Sequence, residues 1–95
     1  MKEFYRIEKR YNYVYDPSEY NKGMSLNHKI VSAISVDAWK DESIARDIFN
    51  KYKTEVFSFR SGDTIKYCII EYVLIRDWLD ENDEVNYELL EISNM

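Results

Sequence analysis

The residues TIKYCIIEYVLIRDW, from Thr64 to Trp78, are the most informative part of the sequence about the fold. Its apolar residues alternate between the two faces of a strand, with Tyr67, Ile69, Val73 and Ile75 on one face and Cys68, Ile70, Tyr72 and Leu74 on the other. A strand that is apolar on both faces is typical of a position where both faces are covered. We therefore expect this strand in the middle of a sheet, with Glu71 interrupting its apolar run.

The chain before this strand predicts two more strands. Residues 4–15 alternate with a period of two, which places Tyr5, Ile7, Tyr11, Tyr13 and Tyr15 on one face and Arg6, Glu8, Arg10 and Asn12 on the other. Asp16-Pro17-Ser18 breaks this pattern, because proline cannot donate to a ladder and aspartate favours turns. The segment NHKIVSAISV, residues 27–36, is short and rich in β-branched residues, which favours a second strand.

One helix is predicted from Asp41 to Lys53. Its apolar stripe consists of Ile44, Ala45, Ile48, Phe49 and Tyr52. Acids at its start and lysines at its end suit the helix dipole. The segment TEVFSFR, residues 54–60, then predicts a strand, Ser61-Gly62-Asp63 a hairpin turn, and VNYELLEI, residues 85–92, a last strand after an acidic turn at Asp80–Glu84.

These elements define a single α+β domain over residues 1–95 in the order ββαβββ. Hairpin connections make the four- to five-stranded sheet mostly antiparallel, with one helix packed on one face. Five strands side by side would span about 20–24 Å, whereas a helix covers about 10–12 Å. We therefore expect exposed aromatic surface that binds another molecule. The alternative is that the loop at residues 16–26 folds over the second face.

Composition limits the compartment and the chemistry. Cys68 is the only cysteine, which excludes an intrachain disulfide or a cysteine-built metal cage and suggests a reducing compartment. The first residues, MKEFYRIEKRY, do not resemble a signal peptide. No segment approaches the roughly 20 apolar residues that cross a bilayer. We expect a cytoplasmic protein that does not act at a membrane.

Charge is divided unevenly along the chain, whose net charge is −5. Residues 1–60 carry eleven Lys and Arg against nine Asp and Glu, whereas residues 61–95 carry only two bases against nine acids. Seven of these acids follow one another without an intervening base: Asp77, Asp80, Glu81, Asp83, Glu84, Glu88 and Glu91. The cluster is either a solvated turn that aids solubility or a surface that binds a cationic partner.

Common catalytic and cofactor chemistries lack their residues here. Nucleophilic catalysis would need a base beside a nucleophile, and the only histidine is His28. Neither GxxxxGK[ST] nor GxGxxG occurs. Asp80, Asn82, Glu84 and Glu91 partly match EF-hand spacing, but place six is Val85 rather than Gly and the flanking segments predict strands. We expect no enzyme activity, no cofactor and no metal.

The N-terminal strand offers an alternative, because Lys2, Arg6, Lys9 and Arg10 interleave with Tyr5, Tyr11 and Tyr13. Such a mixture can pair with phosphates and stack bases of single-stranded nucleic acid. However, the alternation places most of these tyrosines opposite the arginines. The chain also lacks the basic surplus of a nucleic-acid-binding domain, so we expect no direct contact with nucleic acid.

The helix carrying IARDIFNKY and the acidic hairpin CIIEYVLIRDWLDENDEVNYELLEI resemble those of small accessory proteins of phages and mobile elements, including anti-CRISPR proteins. The resemblance covers roughly residues 38–92 and rests on size, acidity, composition and architecture. It implies a non-enzymatic inhibitor, in the host cytoplasm, that evades host defence by blocking a basic, nucleic-acid-binding protein such as a CRISPR effector or another host nuclease.

The hypothesis from the sequence is thus a partial DNA mimic. Its expected partner-binding residues are Asp77, Trp78, Asp80, Glu81, Asp83, Glu84, Tyr87, Glu88 and Glu91. Carboxylates would supply the negative field, and the two aromatic residues would supply apolar anchors. A self-associating scaffold domain, including a homodimer, is the alternative that the uncovered sheet favours.

Overall fold

The computed structural model describes residues 2–26 and 32–95 and confirms the order ββαβββ. The elements are β1 (Glu3–Val14), β2 (Ser32–Trp39), α1 (Glu42–Phe49), β3 (Glu55–Ser61), β4 (Thr64–Leu79) and β5 (Val85–Ile92). Two single turns of 3₁₀ helix, Pro17–Glu19 and Met24–Leu26, lie in the loop after β1. Every strand pair is antiparallel, so the predicted α+β class is also confirmed.

The predicted central strand, β4, occupies the middle of the sheet. β1 pairs along one side of it, from Glu3 opposite Trp78 to Val14 opposite Tyr67. Its other side is shared, because β3 pairs with residues 64–70 and β5 with residues 73–79. The sheet is therefore four strands across, and the expectation of five strands side by side was wrong. A strand of 16 residues is long enough to hold two short strands end to end.

The two faces of this sheet are covered differently. The helix face packs against Ala45 and Phe49 of α1, and its buried residues from the strands are Tyr5, Ile7, Cys68, Ile70, Tyr72 and Leu74. The opposite face, which we call the loop face, holds the alternate residues of β4, among them Ile69, Glu71 and Val73. Burial on both faces of β4 explains why its sequence is apolar without alternation.

The helix begins where the sequence predicts and ends earlier. Asp41 is the N-cap, and its carboxylate accepts a hydrogen bond of 3.1 Å from the backbone N–H of Ile44. Phe49 is the last helical residue, four residues before the predicted end at Lys53. Tyr52 nevertheless packs on Tyr72, with ring centroids 4.6 Å apart, so the apolar stripe continues into the following turn. Ile44, predicted to lie in the stripe, is half exposed.

The loop at residues 16–26 covers the middle of the loop face. It is hydrogen-bonded to the side chain of Glu71 on β4, which is fully buried. The Glu71 carboxylate accepts hydrogen bonds from the backbone N–H groups of Gly23 and Ser25 and from the Tyr20 hydroxyl. We expected this face to be exposed and to bind another molecule. That expectation is wrong at the centre of the face, because the loop covers Glu71 there and is hydrogen-bonded to it.

Two details of the N-terminal half also differ from the sequence prediction. Tyr13 and Tyr15, predicted on one face with Tyr5 and Ile7, are exposed, and neither belongs to the core that packs against α1. The second strand was predicted at residues 27–36, whereas β2 runs from Ser32 to Trp39. Residues 27–31, including His28, lie outside the described residues.

Candidate partner-binding surface

The turn between β4 and β5 is organised by the side chain of Asp80. Its Oδ1 accepts hydrogen bonds from the backbone N–H groups of Asn82 (2.8 Å) and Glu84 (3.0 Å), and its Oδ2 accepts one from Nδ2 of Asn86 (3.0 Å). Asp83 adopts the left-handed conformation that completes the turn, with φ of 59°. Asp80 therefore holds the turn together, and its carboxylate is engaged within the hairpin.

The same hydrogen bonds change the acidity of Asp80. The side-chain hydrogen bond from Asn86, followed by the backbone N–H groups of Glu84 and Asn82, lowers the pKa of Asp80 below its ordinary value. Hydrogen bonds to the charged form of a carboxyl favour ionisation. Asp80 is thus charged, but its carboxylate is hydrogen-bonded within the hairpin.

Three of the predicted binding acids form ion pairs with arginines of the same chain. Asp77 pairs with Arg6 on the loop face, at 2.6 Å. On the helix face, Glu88 pairs with Arg76 at 3.4 Å. The third pair joins Glu91 to Arg46 of α1 at 3.3 Å. The seven acids therefore do not share one face, and these three are each partly neutralised.

The remaining acids, Glu81, Asp83 and Glu84, lie together in the turn. We call these three residues the acidic tip. All three are exposed. No ion pair to any of them occurs among residues 2–26 and 32–95. The acidic tip is thus the part of the predicted surface whose charge is available to another molecule.

The two predicted aromatic anchors have different environments. Trp78 lies on the helix face, where the Arg76 guanidinium stands 4.5 Å from the centre of its ring, and it is partly buried. Tyr87 lies on the loop face opposite Asp77 and is 70% exposed. Tyr87 is therefore the accessible aromatic residue beside the acidic tip.

Other apolar side chains surround Tyr87, and none of them was among the predicted site residues. Val85 and Leu89 lie on the same face of β5 as Tyr87, and Phe4 of β1 lies across Asp77 from it. Val85 is 71% exposed, and the other two are less so. We call Phe4, Val85, Tyr87 and Leu89 the apolar flank. The period-two spacing of Val85, Tyr87 and Leu89 was the signal that could have identified it.

Two shallow grooves open at this end of the molecule. One, of about 470 Å³, is lined by Trp78, Leu79, Asp80 and Glu81. The other, of about 430 Å³, is lined by Lys2, Glu3, Phe4 and Lys40. The backbone carbonyl of Lys2 accepts a hydrogen bond of 3.3 Å from the N–H of Leu79, which brings the two grooves side by side. Two lysines therefore limit the negative field on the β1 side of the tip.

The basic residues of the N-terminal strand, which were the alternative site for single-stranded nucleic acid, lie on both faces of β1. Arg6 and Arg10 lie on the loop face and both pair with Glu8, whereas Lys9 lies on the helix face over the ring of Tyr11. Burial alone would raise the pKa of Glu8, but the hydrogen bonds from Arg10 and Arg6 outweigh burial and lower it. These arginines are thus engaged with acids of the same chain.

The residues with EF-hand spacing lie in the turn between β4 and β5 and on β5, because β4 ends at Leu79 and β5 begins at Val85. An EF-hand would need helices on both sides of this loop. In the described part of the chain, no group of three or more His, Cys, Asp and Glu side chains is arranged to hold a metal ion. No helix within these residues has the length and apolarity to cross a membrane.

Comparison with known proteins identified no relative: no family model, no curated protein and no solved structure matches this chain.

Proposed function

We propose that this chain is a non-enzymatic binding protein that blocks a basic, nucleic-acid-binding surface of another protein, as inhibitors of the anti-CRISPR type do. The acidic tip and the apolar flank would form the contact. The observation that supports this proposal is the position of Glu81, Asp83 and Glu84, whose charges no base of the described chain neutralises, beside Tyr87 and Val85, whose side chains are largely exposed.

The two parts of this surface would contribute differently to binding. Unpaired carboxylates at the end of a hairpin attract a cationic partner over a distance and raise the association rate, an effect that salt weakens. Exposed aromatic and aliphatic side chains supply most of the affinity once they are buried. An exposed apolar group beside an unpaired charge is therefore suited to a protein partner rather than to solvation alone.

The mimicry of DNA would be partial and limited to the tip. Each strand of duplex DNA carries one phosphate per 3.4 Å of helix axis, whereas residues on one face of a β-strand repeat at about 6.6–6.8 Å along the strand axis. Carboxylates on one face of β4 or β5 therefore carry less charge per unit length than a strand of DNA does. Three acids within four residues of a turn approach the density of phosphates.

The test compares two double charge reversals that change net charge equally. Glu81→Lys with Glu84→Lys changes the acidic tip, and Asp47→Lys with Asp63→Lys changes two exposed acids elsewhere. Each variant is added to purified CRISPR effectors and other nucleases bound to labelled DNA, and release of the DNA is followed by mobility shift. We expect the wild-type chain and the Asp47/Asp63 variant to release DNA, and the tip variant to be at least tenfold weaker.

Salt dependence provides a second readout, measured on effector without DNA because salt also weakens protein–DNA complexes. Binding of the chain to the DNA-free effector should weaken as ionic strength rises, because exposed charges are screened beyond about 10 Å at 0.1 M salt. Equal activity of the two double variants would contradict the proposal. Turnover of DNA or of the effector by the wild-type chain would contradict its non-enzymatic part. Circular dichroism of both variants verifies that the fold is unchanged.

A further inference from the structure

The edge strand β3 differs from the other two strands that border the sheet. β2 and β5 each pair with their neighbour through a register shift, at Ile7/Glu8 and at Leu74/Ile75 respectively. β3 pairs with β4 over seven residues without a shift. Bulges protect edge strands against pairing with other chains, so β3 lacks a protection that the other edges have.

The outer side of β3 is open in the described structure. Among residues 2–26 and 32–95, β3 has a strand partner on one side only. All seven of its residues are exposed, including Val56 at 38%, Phe57 at 51% and Phe59 at 38%. Such a strand offers unpaired backbone groups together with apolar side chains, which is the surface that another strand recognises.

We propose that β3 of a second copy of this chain pairs with this edge, antiparallel, about a two-fold axis at Ser58. In this register Phe57 of each copy lies opposite Phe59 of the other, and Val56 lies opposite Arg60. Glu55 lies opposite Ser61. Every residue of β3 has a partner, and the apolar pairs fall on one continuous face because directly opposed residues point to the same side.

The sequence of β3 favours a second copy over another occupant. EVFSFRS is nearly symmetric about Ser58, with a phenylalanine on each side of it and with one acid and one base, so two copies meet without net repulsion. Opposed aromatic residues stabilise an antiparallel pair relative to alanines. The ring of Tyr13, whose centroid is 5.4 Å from that of Phe59, enlarges the aromatic cluster on each side.

The acidic tip does not oppose this assembly. β3 pairs with the first half of β4, whereas the acidic tip follows the end of β4, and the molecule is 53 Å long. The two acidic tips of a dimer would therefore lie far from the two-fold axis and from each other. The dimer needs no part of the proposed partner-binding surface, so either proposal can fail without the other.

The dimer should be a weak one. Seven residues a side are fewer than the 20–30 of a standard interface, which buries about 1,600 Å² in total. Complexes of limited area and few anchors lie at the micromolar end of affinity. We expect a monomer–dimer equilibrium that becomes visible by sedimentation velocity as the concentration is raised through the micromolar range.

The first test places like charges on the proposed axis. Ser58→Lys sets two lysines opposite each other, and Ser35→Lys makes the same change at an exposed position of the edge strand β2. We expect dimerisation to be lost in Ser58→Lys and kept in Ser35→Lys. A wild-type chain that stays monomeric throughout, or a dimer that Ser58→Lys leaves intact, would overturn the proposal.

A second test does not depend on a bulky substitution. Ser58→Cys should be cross-linked into a dimer by a short bis-maleimide, because opposed residues of antiparallel strands have Cβ atoms about 4.5–5.5 Å apart. Ser35→Cys is the control, and the buried Cys68 serves as an internal one. Cross-linking of Ser35→Cys in preference to Ser58→Cys would overturn the proposed edge. The proposal would also be overturned if the chain stayed monomeric and bound a labelled single-stranded oligonucleotide. The aromatic face would then be a nucleic-acid-binding surface.

Discussion

The carboxylate of Glu71 accepts a hydrogen bond of 2.7 Å from the backbone N–H of Gly23, a residue 48 positions earlier in the chain. The N–H of Ser25 donates to the second oxygen at 2.9 Å. An acid at the centre of the most apolar strand is thus satisfied by the loop that covers it. Buried polar groups are tolerated when they are hydrogen-bonded, so Glu71 has a structural role in attaching the loop to the sheet.

Glu71→Gln should therefore destabilise the fold although it preserves size. A glutamine has one acceptor oxygen, and its NH₂ group would face a backbone N–H that loses its partner. An unsatisfied buried donor costs about 1–3 kcal/mol. Urea denaturation measures the loss, with Glu81→Gln in the exposed acidic tip as the control, expected within about 0.5 kcal/mol of wild type. Equal stability of the two variants would show that the loop does not depend on this carboxylate.

Gly23→Ala should destabilise the chain more than Gly62→Ala. Both glycines have positive φ, 83° and 64°, so an alanine at either is strained by about 1–2 kcal/mol. A Cβ at Gly23 would also lie 3.2 Å from Cδ1 of Ile92, whereas a Cβ at Gly62 meets nothing within 4 Å. The difference between the two free energies of unfolding measures the contact between loop and β5. A larger loss at Gly62 would contradict the packing at Gly23.

Periodicity was sufficient to predict the order of elements, and the reason is visible in β4 and α1. β4 is apolar on both faces because both are covered, and α1 begins at an aspartate that caps it. The end of α1 was not predictable from the apolar stripe, since Tyr52 still packs on Tyr72 after the helix has ended. The width of the sheet was not predictable either, because it depends on β3 and β5 pairing with the same side of β4.

The candidate site was predictable as a turn but not as a set of free charges. A run of acids without bases marks the hairpin in the sequence. Which acids remain unpaired depends on arginines far away in the chain, since Arg6 reaches Asp77 across 71 positions and Arg46 reaches Glu91 across 45. Such pairs follow from the strand register and from the position of the helix, and no local pattern of the sequence contains them.

Stability should fall as the pH is lowered from about 5 to about 3, around the ordinary carboxyl pKa values. The pKa of Glu8 is lowered in the fold by Arg10 and Arg6, which outweigh the opposing effect of burial. A carboxyl with a lowered folded pKa stabilises the fold above its unfolded pKa, and this contribution is lost as pH falls through the folded value. Urea denaturation of Glu8→Gln should therefore show a shallower decline than wild type, and parallel curves would contradict the role of this ion pair.

Asp80→Ala separates the shape of the acidic tip from its charge. Loss of the Asp80 carboxylate frees the N–H groups of Asn82 and Glu84, so their hydrogen exchange should accelerate. By analogy with the loss of a helix cap, stability should fall by about 0.5–2 kcal/mol.

If the tip binds a basic partner, Asp80→Ala should weaken that binding mainly through faster dissociation, because the contact is less well ordered. Glu81→Gln should instead slow association in a salt-dependent way, since it removes only an exposed charge. Surface plasmon resonance distinguishes the two effects, and identical rate changes in both variants would mean that Asp80 acts through its charge alone.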